Sequence, residues 1–187
     1  ARWRGRAGKV ETCVTVTIPE TGMAKYCDVE LCNNGKEEVS VEIVYYTEPV
    51  LGVDRQNARF IKSRWREGVL SLHSPWNTAV PGYMALTCGN TADAFFCCGR
   101  ADFWRGKWEA GRMLPLDDPC AAVGRRLILP PKRRERVRFV LSFAAKEEAA
   151  CALVHLTPRQ RPQSSLLVDT PDKALNHIIS SFLPAQI

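Results

Sequence analysis

The sequence predicts a mainly β protein, an antiparallel β-sandwich with a short helical linker at its C-terminus. The first observation is that apolar and polar residues alternate with a period of two in short runs between residues 10 and 143. The second is that Gly, Pro, Asn and Asp separate these runs, as they do between antiparallel strands. The third is that helical periodicity occurs only at about 146–155 and 171–183.

Three strands open the predicted sandwich. They span residues 11–18, 25–31 and 39–46. In the second strand, Cys27 and Val29 are predicted to face inward, and Asp28 and Glu30 to face outward. The turn signal Asn33-Asn34-Gly35 follows, because Asn and Gly accept positive φ. We therefore expect these strands to be consecutive neighbours in one antiparallel meander.

Five further strands follow the same pattern. They span residues 68–73, 79–88, 92–98, 121–129 and 135–143, whereas 57–65 is predicted to be a loop or a short helix. The last two strands are predicted to form a hairpin around Pro130-Pro131. On its second arm, Arg134, Arg136 and Arg138 would face solvent, with Val137, Phe139 and Leu141 on the opposite face.

Helical signals appear only near the C-terminus. Glu147 and Glu148 lie in the first turn of the helix predicted at 146–155, where the helix dipole favours acids. A polar, Pro-containing linker follows at 157–165. Thr170 then provides an N-cap, with Pro171 at the first helical position. The second helix carries an apolar stripe formed by Ala174, Leu175, Ile178, Ile179, Phe182 and Leu183.

Composition is that of an ordinary globular protein. The chain has 187 residues, of which 45% are hydrophobic and 25% charged. No apolar run approaches the roughly 20 residues that span a bilayer, and no signal peptide is recognisable. We therefore expect a cytoplasmic protein without a membrane partner. Because it starts at Ala1 within a basic segment, we also expect it to be part of a longer protein.

The cysteines and the positive charge do not indicate a metal or nucleic-acid site. The eight Cys include no C-x-x-C pair and the three His are scattered, so we expect small buried thiols, no metal and no cofactor. The net charge of +6 allows contact with phosphates. Its densest cluster, 132–138, is however better explained as the solvated face of a strand, so we expect no nucleic-acid partner.

The segment from Cys98 to Cys120 is the strongest candidate for a functional loop. It is long and rich in Trp and Arg, unlike an ordinary surface loop, so we expect it to contact a carbohydrate or another protein surface. The candidate residues are Arg100, Asp102, Trp104, Arg105, Trp108 and Arg112. Within the loop, Asp102 and Asp117 are expected to pair with its arginines.

Several segments, in order, resemble glycoside hydrolase family 94. They are Y-Y-T-E-P-V-L-G (45–52), F-C-C-G-R-A-D-F-W-R-G (96–106), D-D-P-C-A-A (117–122), V-D-T-P-D-K-A-L-N (168–176) and F-L-P-A-Q (182–186). That family contains the cellobiose and chitobiose phosphorylases and the phosphorylase region of cyclic β-1,2-glucan synthase. The resemblance implies a galactose-mutarotase-like supersandwich, a helical linker and an (α/α)6 barrel that carries the chemistry.

The resemblance also implies a domain division and a function. Residues 1–156 would be the sandwich, incomplete at its N-terminus, and 157–187 the linker and its first helix leading to an absent barrel. The chain would be the non-catalytic sandwich domain of an inverting glycoside phosphorylase, serving domain packing, dimerisation and the shape of the sugar site. Oligosaccharide and inorganic phosphate would be ligands of the full enzyme. The family's catalytic acid belongs to the barrel, so no residue is assigned a catalytic role.

Departures from the family pattern leave the donor and acceptor sugars open. The turn that is often Pro-Gly-Glu in the family reads Pro130-Pro131-Lys132 here.

Two other functions also stay open. A free-standing carbohydrate-binding module could use Trp76, Trp104 and Trp108 to stack on sugar rings, and a basic nucleic-acid binder would show salt-sensitive binding to duplex.

Overall fold

The computed structural model describes residues 1–19, 22–52, 54–77, 81–89, 91–106, 118–156 and 169–178. This part of the chain forms two antiparallel sheets. The larger contains β1 (Arg2–Ala7), β2 (Val10–Thr17), β3 (Met23–Asn33), β5 (Lys62–Arg66), β6 (Val69–His73), β7 (Tyr83–Thr87) and β10 (Arg134–Ala144). The smaller contains β4 (Val39–Thr47), β8 (Ala94–Gly99) and β9 (Pro119–Leu129). The predicted antiparallel sandwich is confirmed.

The strand order places β1 and β5 at the two edges of the larger sheet. That order is β1-β2-β3-β10-β7-β6-β5, and the smaller sheet runs β4-β9-β8. Four short helices complete the described part: a 3₁₀ helix at Arg55–Phe60, α1 at Arg100–Trp104, α2 at Glu147–Leu153 and α3 at Lys173–His177. None of the described helices is long and apolar enough to cross a membrane.

The main core lies between the two sheets. Alternation places Val137 and Phe139 of β10 in it, each 1% exposed, opposite Val123 of β9, which is fully buried. Aromatic contacts cross between the sheets. The rings of Tyr45 and Phe139 are 5.9 Å apart. A second cluster, which includes Tyr26, Val140 and Ala150, lies where α2 packs against the larger sheet.

The predicted meander was correct for β2 and β3, which pair antiparallel, but wrong for β4, and the predicted hairpin was wrong. β4 pairs with β9 rather than β3, and β9 and β10 belong to different sheets. Both connections therefore cross from one sheet to the other. Asn33, which is fully buried, lies between them and donates to the carbonyls of Glu37 and Leu129, both at 2.8 Å. The Asn side chain stabilises this crossing where a hairpin turn was expected.

Other differences arise where side chains do not follow a simple two-face pattern. β1 was not predicted, because its residues are exposed on both faces. The segment predicted as loop or short helix at 57–65 contains the end of the 3₁₀ helix and most of β5, and α1 falls within the predicted loop. Asp28 was predicted to face solvent but is only 7% exposed, because Arg136 and Arg138 reach it from β10.

The two predicted C-terminal helices are found, and α2 is shorter than expected. α2 covers most of 146–155, and α3 covers the start of 171–183. Asp172, rather than Thr170, caps α3 by accepting from the backbone N–H groups of Ala174 and Leu175. In the stripe, Leu175 is 43% and Ile178 45% exposed, while Ile179, Phe182 and Leu183 lie outside the described residues. The predicted linker at 157–165 also lies outside them.

Candidate functional site

Four charged side chains meet at one end of the smaller sheet, and we call them the carboxylate–arginine ring. They are Glu48, Arg55, Arg100 and Asp118. Arg55 pairs with Glu48 and places Nη2 2.8 Å from Asp118 Oδ1. Arg100 places Nη1 3.0 Å from Asp118 Oδ2 and Nε 3.0 Å from Glu48 Oε1. Each carboxylate therefore lies between two guanidinium groups, and the ring carries no net charge.

The ring keeps both of its carboxylates ionised at neutral pH. The Tyr46 hydroxyl donates to Glu48 Oε1 at 2.5 Å, and this bond together with Arg55 and Arg100 lowers the Glu48 pKa. Desolvation would raise the pKa of Asp118, but hydrogen bonds from both arginines outweigh it and lower that pKa. A general acid needs a pKa near the working pH, so neither carboxylate is suited to that role.

An aromatic cluster, formed by Tyr46, Phe103 and Trp104, lies beside the ring. The Tyr46 ring centroid is 4.3 Å from that of Phe103 and 5.7 Å from that of Trp104. Desolvation, followed by the bond to Glu48, raises the pKa of Tyr46 to about 12, so its hydroxyl keeps its proton. Trp104 is 69% exposed and forms the outer surface of the cluster. An exposed Trp on a rigid base is suited to contact a sugar ring or another protein surface.

The local chain path explains how α1 is positioned. β8 ends in an irregularity between Cys97 and Gly99, and α1 begins at the next residue. The Arg100 backbone N–H then donates to the Asp118 carbonyl at 3.1 Å. Beneath the helix, Phe103 packs on a buried cluster that contains Cys97 and Cys120. Small buried thiols thus support the helix that carries Trp104.

A second exposed aromatic surface is linked to the ring by the 3₁₀ helix. Arg55 begins this helix and Phe60 ends it, which separates them by roughly 10 Å along the axis. The Phe60 and Trp76 ring centroids are 5.0 Å apart, and the Arg59 guanidinium lies 5.0 Å from the Phe60 centroid. Trp76 is 69% exposed, like Trp104.

Of the residues predicted for the site, only Arg100 belongs to the ring. Trp104 and Arg105 are exposed on and just after α1. Asp102 is half-buried in the first turn of α1, and Arg100 pairs with Asp118 rather than with Asp102. The other two predicted site residues, Trp108 and Arg112, lie outside the described residues, as does Asp117, which was expected to pair with the arginines of the loop.

Sequence reasoning missed Tyr46, Glu48 and Arg55 as parts of the site. Tyr46 and Glu48 are separated from the loop by more than one strand in the sequence, and pairing of β4 with β9 brings them to it. Arg55 lies in a segment without strand or helix periodicity. One usable signal was the placement of a carboxylate, Glu48, directly after a strand and before Pro49.

All eight cysteines are free thiols in the structure. Five are buried, which agrees with the expectation of small buried hydrophobes, and Cys13, Cys32 and Cys151 are half-buried. Within the described residues, no group of three or more His, Cys, Asp or Glu side chains is arranged to hold a metal ion.

Comparison with known families identifies the domain. A model of the glycosyl hydrolase 94 supersandwich domain matches residues 1–157. The chain belongs to glycoside hydrolase family 94. A search of curated proteins found no match. Among solved structures, a polysaccharide lyase is similar in fold, with a TM-score of 0.52 and 13% identity over 82% of this chain. The matched region is 23% of the lyase chain.

Family 94 membership agrees with the motif segments that carried the resemblance. Three of those segments meet at the site: 45–52 supplies Tyr46 and Glu48, 96–106 supplies Arg100 and the α1 aromatics, and 117–122 supplies Asp118. Three of the four ring residues therefore lie in segments that carried the resemblance, and Arg55 lies outside those segments.

Proposed function

We propose that this supersandwich domain is the non-catalytic domain of an inverting glycoside phosphorylase and that its ring and aromatic cluster form a contact surface. The observation that carries the proposal is the arrangement of the ring. Both of its carboxylates are bound by two arginines, as expected for groups that hold a surface in place. Exposed Trp104 and Arg105 extend from this base.

In this proposal, a barrel that follows the linker performs the phosphorolysis. Inverting phosphorolysis needs one carboxylic acid to protonate the leaving oxygen, while phosphate attacks the opposite face of the sugar. The proposal divides the chain into a sandwich at 1–156 and a linker at 157–187. The parent protein would be a cytoplasmic homodimer that uses oligosaccharide and inorganic phosphate.

The contact surface would lie where the sandwich meets the sugar site of the dimer. Arginine and Trp are the residue types that contribute most to protein interfaces, and Trp also stacks on sugar rings. The ring fixes the position of α1, so Trp104 would present the same face in each protomer. Such a surface affects substrate binding and subunit contact more than it affects bond cleavage.

The test compares this chain with a protein that extends beyond it. Each is incubated with inorganic phosphate and a panel of β-linked disaccharides, and release of sugar 1-phosphate is measured. We expect release by the longer protein and none by the 187-residue chain. The proposal would be contradicted if the 187-residue chain alone released sugar 1-phosphate and its Glu48→Gln or Asp118→Asn variant did not. Hydrolysis without phosphate dependence in the longer protein would contradict it also.

A second candidate function, a carbohydrate-binding module, is favoured by the equal exposure of Trp76 and Trp104. Titration calorimetry of the chain with β-linked oligosaccharides tests it. This function requires saturable binding that weakens on Trp76→Ala or Trp104→Ala. Trp3→Ala is the matched control, because Trp3 is 56% exposed but lies on β1, outside both aromatic surfaces. Equal binding by all three variants would exclude a sugar platform at either Trp.

A further inference from the structure

A pocket with a charged lining lies on the face of the larger sheet that α2 covers. Its volume is about 290 Å³, and its charged and aromatic lining residues are Lys62, Arg64, His73, Tyr83 and Glu147. These side chains come from β5, β6, β7 and the first residue of α2. None of them belongs to the carboxylate–arginine ring or to either aromatic surface.

The register of three adjacent strands brings a cation, an imidazole and a phenol to one face. Lys62 of β5 lies opposite His73 of β6, and His73 lies opposite Tyr83 of β7. Directly opposite residues share a face of the sheet. The His73 and Tyr83 rings stack, with their centroids 4.7 Å apart and their planes at 13°. The three residues therefore form a row across the sheet, roughly 10 Å long at the usual spacing of strands.

A bonded carboxylate forms one wall of this pocket. Glu147 Oε2 lies 3.3 Å from Arg64 Nη1, and Glu147 Oε1 accepts from Ser71 Oγ at 2.6 Å. Ser71 is only 5% exposed, so it holds the carboxylate of α2 against the sheet. Both oxygens of Glu147 are thus engaged within the wall, and Arg64 offsets its charge.

The row, in contrast, has donors without acceptors. Among the described residues, Lys62 forms no ion pair or hydrogen bond, and the side chains of His73 and Tyr83 form no hydrogen bond. Desolvation, followed by the charge of Lys62, lowers the pKa of His73. Arg64 acts in the same direction, and together these effects outweigh Glu147, which acts in the opposite one. An anion beside the row would offset the charge of Lys62 and stabilise a protonated His73.

A neighbouring pocket provides an internal comparison. It shares Arg64 and Glu147 with the first pocket, has a volume of about 210 Å³ and includes His155 in its lining. Three glutamates and two arginines line it, whereas two cations and one glutamate line the first pocket. The electrostatic potential therefore favours an anion in the first pocket and disfavours one in the second.

Donors on three strands match a tetrahedral oxyanion. A phosphate group can accept from an ammonium, a ring N–H and a hydroxyl at the same time, and Lys is a common ligand of phosphate. The pocket is larger than one phosphate ion, so it also admits a small group attached to the phosphate. We propose that Lys62, His73 and Tyr83 form a binding site for a phosphate group, carried either by inorganic phosphate or by a small phosphate ester.

NMR spectroscopy of the full 187-residue chain tests this site, because the chain has only three His. The His ring signals are followed during titration with inorganic phosphate, with glucose 6-phosphate and with sodium chloride at matched ionic strength. A bound anion favours the protonated ring, so phosphate should raise the pKa of His73 towards the ordinary value of 6.5 and leave the His155 signal unchanged. An equal change at both His, or the same change with chloride, would show general screening and would overturn the inference.

The two phosphate probes distinguish the sources of the group. Tighter binding of glucose 6-phosphate than of inorganic phosphate would support the site and identify an ester as its ligand. Equal or weaker binding of the ester would support the site and identify the free anion. Absence of a His73 response to both probes would overturn the inference.

Two conservative variants assign the binding to the row. Lys62→Gln should weaken phosphate binding at least about tenfold, as is usual when a charge-assisted hydrogen bond is lost. Tyr83→Phe keeps the ring that stacks on His73 and removes the hydroxyl, so it should weaken binding at least about threefold. Unchanged affinity in either variant would overturn the inference.

The matched control is Lys36→Gln. It removes the same charge from an exposed residue outside the pocket, so it should bind phosphate like the wild type. Equal weakening in Lys36→Gln and Lys62→Gln would show that only the net charge of the chain attracts phosphate, and it would overturn the inference.

Discussion

Arg100 and Asp118 are joined twice, by a side-chain ion pair of 3.0 Å and by a 3.1 Å hydrogen bond from the Arg100 backbone N–H to the Asp118 carbonyl. They are the residues at which the chain leaves β8 and approaches β9. The two bonds therefore close the base of the segment between them. Arg55 holds Asp118 from a third element, the 3₁₀ helix.

The first prediction concerns this closure. Asp118→Asn keeps the size of the side chain but removes the charge that Arg55 and Arg100 share. We expect a lower melting temperature and faster tryptic cleavage after Arg100, because two guanidinium groups are left close together with Glu48 as their one remaining shared carboxylate. Differential scanning fluorimetry and timed proteolysis with mass spectrometry measure the two effects.

The matched control for this variant is Glu42→Gln. Glu42 forms an exposed ion pair with Arg126 at 2.9 Å, away from the ring, and exposed pairs contribute little to stability. Its melting temperature should stay close to that of the wild type. Combining Asp118→Asn with Glu48→Gln should give a non-additive change, because both carboxylates bind the same arginines. Additive changes would show that the ring does not act as a unit.

The second prediction concerns Asp28, whose side chain is 9% exposed and accepts from Arg138 Nε at 2.7 Å and Nη2 at 3.0 Å. Arg136 adds a third contact at 3.0 Å. Asp28→Asn should lower the free energy of unfolding by about 2 kcal/mol, a usual value for a hydrogen bond to a charged group. Urea titration measures it. Glu30→Gln, the next acid on the exposed side of β3, should change the free energy of unfolding by less than about 0.5 kcal/mol.

The pH dependence of this variant follows from the direction of the Asp28 pKa. Desolvation would raise that pKa, but the hydrogen bonds from Arg138 and Arg136 lower it below the ordinary value of 3.8. A carboxyl with a lowered folded pKa stabilises the fold fully above its ordinary pKa, and this stabilisation is lost as the pH falls through the folded pKa. The difference between wild type and Asp28→Asn should therefore be constant near neutral pH and narrow below about pH 4. A difference that stays unchanged down to acid unfolding would contradict the ion-pair explanation.

The third prediction concerns Gly124 in the middle of β9. A Cβ at this position would lie 2.5 Å from Phe95 Cζ and 2.7 Å from the carbonyl oxygen of Ile43 on the paired strand β4. The backbone oxygen cannot move without disturbing the β4–β9 ladder, so Gly124→Ala should destabilise the domain by about 1–3 kcal/mol. At Gly52, the nearest atom to an added Cβ is 3.4 Å away, so Gly52→Ala should cost less than about 0.5 kcal/mol in the same urea titration.

Sequence alternation predicted which face a residue occupies better than which strand it pairs with. Val137 and Phe139 were correctly placed in the core, because a period of two assigns faces locally. Which strand pairs with β4 depends instead on the two connections, β3 to β4 and β9 to β10, that cross from one sheet to the other beside Asn33. Nothing in the local pattern distinguishes such a crossing from a hairpin.

The candidate site shows the same limit. The loop with Arg100 and Trp104 was recognisable from its composition and its length. Its partners Glu48 and Arg55 were not, because their contact with Asp118 depends on long-range pairing of β4 with β9. Asp28 was misplaced for a related reason. A buried carboxylate is costly unless it is paired, and its partners lie on a strand far away in the sequence.

The last prediction tests the contact surface in the longer phosphorylase proposed above. Trp104 and Arg105 are exposed at the end of α1, next to a ring whose carboxylates are not suited to proton transfer. Replacing both by Ala should weaken dimerisation or raise the KM for the sugar and leave kcat within about tenfold, because no contact made only in the transition state is removed. Steady-state kinetics and analytical ultracentrifugation measure these quantities, and Trp3→Ala serves again as the control for loss of an exposed Trp. A fall in kcat of more than about a thousandfold with the dimer intact would place a catalytic group at this surface, because that loss exceeds what impaired substrate positioning alone usually costs.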